Sequence, residues 1–246
     1  MKDAVTREGA SVKPLALIAA GGEGKRLGSI GPKALVVCAG RSLLAWCLDA
    51  FAKSTSYGNG AGVVIVAAHA SDLPAFEDAC AEARAAGLEV IVVEGGASRS
   101  HSVAAALRAG HDDPAIVLVH DAARIFTTPE LIDGLHDGLL DHPADVAALI
   151  AAKPVTDTVK LVDEFGDVYE TPPREKLWAV QTPQAFRGPV LSDALGADDE
   201  TLASATDDAS LVEALGGRVK IYEWSAPNPK ITTPEDLSLA AERLRQ

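Results

Sequence analysis

The sequence predicts an α/β protein with a mostly parallel, twisted sheet, helices on both faces and a protruding β-hairpin arm. From Leu15 to Ala151, short apolar runs alternate with longer stretches of helical periodicity, the pattern of strand–helix–strand crossovers. The chain is 48% hydrophobic but only 4% aromatic, so its core rests on Ala, Val, Leu and Ile, which suit buried parallel strands. After Pro154 the rhythm breaks into two short extended patterns around a turn.

The elements follow in order. Residues 15–20, 62–68, 88–93, 115–119 and 146–151 are apolar runs short enough for strands. Between them, residues 43–53, 73–86, 102–109 and 129–140 carry helical patterns. Residues 158–162 and 168–170 flank Asp163-Glu164-Phe165-Gly166-Asp167, a hairpin turn sequence, and Pro172-Pro173 stops the second strand. Two strands are marginal alone, so the hairpin needs a surface to lie on, either its own domain or a second subunit. The chain then gives a helix at 207–215, a strand at 219–223, and a helix opened by Thr233-Pro234-Glu235-Asp236. Thr as N-cap, Pro in the first turn and acids behind it form a good helix start. The expected organisation is a disordered tail over residues 1–13 and a single domain over 14–246, with an arm at about 156–178.

The net charge of -13 argues against nucleic acid or an anionic membrane as partner. Any phosphate ligand must be met by cations gathered locally against that field. The three cysteines form no CxxC pair and no apolar run is long enough to span a bilayer. A reducing, cytoplasmic setting is expected.

Three segments after predicted strands carry residues suited to chemistry, because ligands in such sheets sit beyond the strands' carboxyl ends. The first joins Ala20, Gly21, Gly22, Glu23 and Gly24 to Arg26, with Lys33 close behind. It is neither a Walker A loop nor a dinucleotide fingerprint, since it lacks the closing Lys-Ser/Thr and the third glycine. A glycine turn can be purely structural, but two cations on the same loop point to a triphosphate. The second segment, Gly95 and Gly96 through Ser102, reads equally as a nucleoside cradle or a capped strand-to-helix turn. The third, His120-Asp121-Ala122-Ala123-Arg124, offers a carboxylate for a metal or hydroxyl and a guanidinium for a phosphate. His120 itself reads as structural.

Eight blocks in order from Ala19 to Leu237 carry a resemblance over nearly the whole chain: AAGGEGKRLG, PK, GGASRSHSV, VHDAAR, PVTDTVK, LWAVQTPQAF, TDDASLVEALG and NPKITTPEDL. The sequence resembles the 2-C-methyl-D-erythritol 4-phosphate cytidylyltransferases of the non-mevalonate isoprenoid pathway. The resemblance implies a Rossmann-like nucleotidyltransferase fold and transfer of CMP from CTP to the polyol phosphate. It implies that Ala20, Gly21, Gly22, Glu23, Gly24, Gly95, Gly96 and Ser102 bind CTP, with Arg26 and Lys33 catalytic. Asp121, Arg124, Thr182, Thr206 and Lys230 would serve the polyol phosphate, with Thr158 and Arg174 reaching it from the arm of the other subunit in a homodimer. Mg²⁺ or another divalent cation would be held mainly by the CTP phosphates. The sequence departs from the usual pattern at Ala34 (commonly Gln), Ile125 (commonly Pro) and Pro229 (commonly Ile), and Pro229 removes a backbone donor beside Lys230. A ribitol 5-phosphate cytidylyltransferase shares most of these blocks. A non-catalytic nucleotide sensor on the same sheet would be expected to lose Arg26, Lys33 or Lys230, and all three are present.

Overall fold

The computed structural model describes residues 12–28, 31–110 and 113–245. Of the expected tail over 1–13, residues 1–11 lie outside the described residues, while Lys13 pairs with Glu89 at 2.7 Å.

In chain order the elements are β1 (Leu15–Ala19), β2 (Val37–Cys38), β3 (Arg41–Ser42), α1 (Leu43–Lys53), β4 (Val63–Ala68), α2 (Leu73–Ala85), β5 (Glu89–Glu94), α3 (Arg99–Ala109), β6 (Ile116–Asp121), α4 (Pro129–Asp141) and β7 (Val146–Pro154). There follow β8 (Leu161–Val162), β9 (Val168–Glu170), β10 (Trp178–Arg187), α5 (Gly188–Ala194), α6 (Asp199–Ser204), α7 (Asp208–Ala214), β11 (Arg218–Glu223) and α8 (Pro234–Arg243). The main sheet has seven strands in the order β11-β7-β10-β6-β1-β4-β5. All neighbours pair in parallel except β10, which runs antiparallel to both β6 and β7.

The strand β10 is the main departure from the expected layout. Gln181, Thr182, Pro183 and Gln184 interrupt its apolar character, and a proline inside a run argues against a central strand. The sheet accommodates them because the pairing with β7 shifts register between Val180 and Gln184.

Alternation along the strands divides the core between two faces. Ala16 and Ile18 of β1 join Leu44, Phe51, Phe76 and Leu135 from α1, α2 and α4 on one face. Leu15 and Leu17 join Val103, Leu191 and Val212 from α3, α5 and α7 on the other. A third cluster, Leu27, Cys38, Leu43, Ile125, Ile231 and Ala240, packs α8 over the loops beyond the sheet. This places the expected departures: Ala34 is buried in the first cluster, and Ile125 fills the third.

The strands β8 and β9 form the expected hairpin. Asp163 Oδ1 accepts the backbone N–H groups of Phe165 and Asp167 at 3.0 and 2.9 Å, and Gly166 takes the positive φ of 89° that the turn requires. Its apolar side chains face outward: Phe165 is 82% exposed and Tyr169 67%.

Candidate active site

A cleft of about 1250 Å³ lies along the carboxyl ends of β6, β1, β4 and β5. Ala19, Ala68, Glu94 and Asp121, the last residues of these four strands, all line it. This is the edge where α/β sheets place ligands.

The first loop turns on Gly24, whose φ is 65°, and is tied down where the Lys33 N–H donates to the Gly22 carbonyl at 2.8 Å. Gly21 and Gly22 have open space where a Cβ would stand, so nothing in the protein requires glycine there. What they leave free is the approach of backbone N–H groups to a ligand. Ala20 and Glu23 line the same wall, and Glu23 pairs with Lys25. Arg26, Lys33 and Lys230 also line the cleft. Lys33 shows how close these cations come: partial burial, then Lys230 and Arg26, push its pKa down to about 8, against weaker opposing pulls from Asp121 and Asp236.

The second loop is built differently. A Cβ on Gly96 would meet the His101 Cβ at 2.4 Å, and one on Gly95 would meet Ser102 Oγ at 2.8 Å, so these glycines allow the loop to fold onto its helix. Ser98, not Ser102, caps α3. Ser102 lines the cleft, but its hydroxyl accepts the Gly96 N–H at 3.1 Å and donates to the Ser98 carbonyl at 2.9 Å. Ser102 thus lines the cleft and also props the loop from within.

The third segment centres on Asp121. Arg99 Nε lies 3.0 Å from Oδ1 and Lys230 Nζ 2.7 Å from Oδ2. Burial pushes this carboxyl up, but Arg99 and Lys230 outweigh it and hold the group well below the usual carboxylate range. Arg99 is anchored from behind by the fully buried Asp208 at 2.6 Å. With Pro229 before it, Lys230 spans to Asp121. Arg124 Nη1 donates to the Asn228 carbonyl at 2.8 Å, and burial lowers its pKa.

The structure therefore brings Ala20 to Gly24, Arg26, Lys33, Gly95, Gly96, Ser102, Asp121 and Lys230 onto one cleft. Thr182 is buried and does not line the cleft; its hydroxyl accepts the Asp121 N–H at 3.0 Å and meets His120 Nδ1 at 3.1 Å, bracing the strand end that carries Asp121. Arg124, Thr206, which is exposed, and Thr158 and Arg174, beside the hairpin, do not line the cleft; Arg174 donates to the Thr156 carbonyl at 2.8 Å. His120 is structural as expected, with burial depressing its pKa to about 3.

Arg99 and Asp208 were missed by the sequence reading. One signal was available: Arg99 opens α3, and a cation in a helix's first turn opposes the macrodipole unless it serves a local anion. Asp208, 109 positions away, gives no such hint.

Comparison with known proteins agrees with this geometry. Residues 15–246 match the family model for 2-C-methyl-D-erythritol 4-phosphate cytidylyltransferase (IspD). The enzyme of that name from Frankia casuarinae is 44% identical over 94% of this chain and 81% of its own length. That from Synechococcus is 38% identical over 94% and 98%. Among solved structures, the cytidylyltransferase from Thermus thermophilus superposes with a TM-score of 0.73 at 33% identity, over 96% of this chain and all of the other. The 4-diphosphocytidyl-2C-methyl-D-erythritol synthase from Anaerococcus prevotii gives a TM-score of 0.79 at 28% identity, over 96% and 97% of the two chains. The fold, the position of the cleft and these matches together show that the chain belongs to the 2-C-methyl-D-erythritol 4-phosphate cytidylyltransferase family.

Proposed function

We propose that the cleft transfers CMP from CTP to 2-C-methyl-D-erythritol 4-phosphate, with the triphosphate on the 20–24 loop and Arg26 and Lys33 as its catalytic cations. The reaction gives 4-diphosphocytidyl-2-C-methyl-D-erythritol and pyrophosphate. The observation that carries this reading is the convergence of Arg26, Lys33 and Lys230 on one cleft in a chain of net charge -13.

The acceptor is a phosphate monoester with a second pKa of about 6, mostly dianionic at neutral pH, so its oxygen needs no general base. It bonds to the α-phosphorus in line as the bond to the departing pyrophosphate oxygen breaks. The obstacle is repulsion between two anions, which fixed cations reduce. Lys33, crowded by Lys230 and Arg26 in the free protein, regains its proton affinity when anionic phosphates arrive between them. Arg124 and Lys230 hold the acceptor phosphate, with Arg99 fixing Asp121 beside them. Thr182 acts through the Asp121 backbone, and Ser102 through the loop of Gly95 and Gly96, which carries the nucleoside. Thr206, exposed at the start of α7, is assigned to the acceptor by family pattern alone.

The donors suit a phosphate-borne divalent ion. Among the described residues no three His, Cys, Asp or Glu side chains converge to hold an ion by themselves, and Asp121, the carboxylate at the end of β6, has its two oxygens paired with Arg99 and Lys230. A cation such as Mg²⁺ would be held by the CTP phosphates and would supply charge neutralisation on the leaving group.

The second-subunit role of Thr158 and Arg174 draws support from the exposed apolar hairpin beside them. A homodimer joined through residues 156–178 covers that surface and carries both side chains to the partner's cleft. No helix among the described residues is long and apolar enough to cross a membrane.

Pyrophosphate release tests the reading. With CTP and Mg²⁺, 2-C-methyl-D-erythritol 4-phosphate is expected to support turnover and ribitol 5-phosphate is not. Equal or better turnover with ribitol 5-phosphate contradicts the acceptor assignment.

A further inference from the structure

Beneath the cleft four buried residues close a ring of hydrogen bonds, three between side chains and one onto the Thr182 backbone carbonyl. His120 Nδ1 lies 3.1 Å from Thr182 Oγ1, and His120 Nε2 lies 3.4 Å from Thr127 Oγ1. Thr127 Oγ1 donates to Asn228 Oδ1 at 3.2 Å, and Asn228 Nδ2 donates to the Thr182 carbonyl at 2.9 Å. All four residues are at most 6% exposed. They come from three distant segments: the end of β6 with its following loop, the middle of β10, and the stretch after β11.

Counting protons fixes the direction of each bond. Asn228 must turn its NH₂ to the Thr182 carbonyl, which leaves its oxygen facing Thr127. The single hydroxyl proton of Thr127 is then committed to that oxygen, so towards His120 it can only accept. Nε2 therefore carries the imidazole proton and Nδ1 is bare. The Thr182 hydroxyl donates to Nδ1 while accepting the Asp121 N–H at 3.0 Å. Burial keeps the imidazole neutral against the pull of Asp121 and of a hydrogen bond with the Arg124 backbone; the charges of Arg124 and Arg99 act with the burial.

Three charged groups adjoin this ring: Asp121 and Lys230, which line the cleft, and Arg124, which lies behind its wall. Asp121 follows His120 in the chain and is bonded to Thr182 through its N–H. Arg124 is held by the Asn228 carbonyl, and Lys230 lies two residues beyond Asn228.

We propose that the ring of His120, Thr127, Thr182 and Asn228 positions Arg124, Asp121 and Lys230 for the acceptor phosphate, with His120 and Thr127 as positioning residues that touch no substrate. This rests on the assignment of Arg124 and Lys230 to that phosphate.

Thr127→Val removes the hydroxyl at nearly constant shape, and Thr127→Ser keeps it. Thr127→Val is expected to raise the KM for 2-C-methyl-D-erythritol 4-phosphate about tenfold, the equivalent of roughly one hydrogen bond, while the KM for CTP stays within about twofold. Thr127→Ser is expected to restore most of the loss. An unmoved acceptor KM in Thr127→Val, an equal rise in both KM values, or a Ser variant as impaired as the Val variant overturns the proposal. Long-range ¹⁵N–¹H NMR on the unmodified protein tests it whether or not the variants fold: His120 is expected as the Nε2-protonated tautomer, and the Nδ1-protonated form overturns the ring. Lys230→Ala measured alongside separates the two readings. An unmoved acceptor KM there overturns the parent assignment and this tie with it. A raised one, with Thr127→Val unmoved, overturns the tie alone.

Discussion

Lys230 Nζ lies 2.7 Å from Asp121 Oδ2, joining the segment after the last strand to the end of β6 at the cleft. Because Arg99 takes the other carboxylate oxygen, Asp121 stays ionised and the two cations keep their places. Before Lys230 can take an acceptor phosphate, this pair must loosen, so substrate competes with a contact already present.

Asp121→Asn tests the pair through stability. The folded carboxyl has a depressed pKa, so its contribution is fully present above the unfolded-state value of about 3.9 and is lost as pH falls below it. The variant is expected to be less stable at pH 7 by on the order of 1–3 kcal/mol, with a smaller difference at about pH 3. Urea denaturation at both pH values measures this. A deficit that is equal at both, or larger in acid, speaks against an ionised, paired Asp121.

Lys33 carries a pH dependence of opposite origin. Its pKa of about 8 in the free protein means that raising pH through that value removes a cation from the triphosphate grip. The kcat/KM for CTP is therefore expected to fall above about pH 8. The corresponding limb in kcat is expected at higher pH, because bound phosphates favour the protonated amine. Lys33→Arg should abolish the limb in kcat/KM, and a limb that persists there belongs to another group.

The two glycine loops are expected to respond differently to alanine. Gly22→Ala meets open space, so thermal stability should hold while the KM for CTP rises. Gly96→Ala collides with His101 and should cost about 1–3 kcal/mol of stability. Thermal melts with CTP titrations on both variants check this, and the reverse ranking contradicts the assigned roles.

The arm is expected to make the protein a dimer in sedimentation equilibrium. Thr158→Val and Arg174→Ala should weaken acceptor binding while leaving CTP binding near normal. Mixing Arg174→Ala with Lys33→Ala chains should recover up to about a quarter of normal activity, because half of randomly exchanged dimers regain one intact site. No recovery after demonstrated subunit exchange rules out a shared site.

The alternating elements were legible because each helix has its own local signals. Thr128 caps α4 and Thr233 caps α8, each followed by proline, and both positions can be read directly from the chain. The strand β10 was not legible, since Thr182-Pro183 and two glutamines mimic a loop and only its neighbours β6 and β7 make it a strand. The cation loop was legible for the opposite reason: Arg26 and Lys33 stand within a few residues of the glycines they serve. Arg99–Asp208 and the ring around His120 join residues about a hundred positions apart through buried contacts, which no local pattern announces. The internal hydrogen bonds of Ser102 and Thr182 were not legible either, because a hydroxyl beside a site looks the same in sequence whatever it bonds.

The most direct test of the central claim is turnover by Lys33→Ala and Arg26→Ala at saturating CTP, 2-C-methyl-D-erythritol 4-phosphate and Mg²⁺. Loss of one preorganised cation is expected to lower kcat about 100–1,000-fold with the fold intact by circular dichroism. Near-normal kcat in either variant contradicts the assignment of that residue to the transferring phosphate.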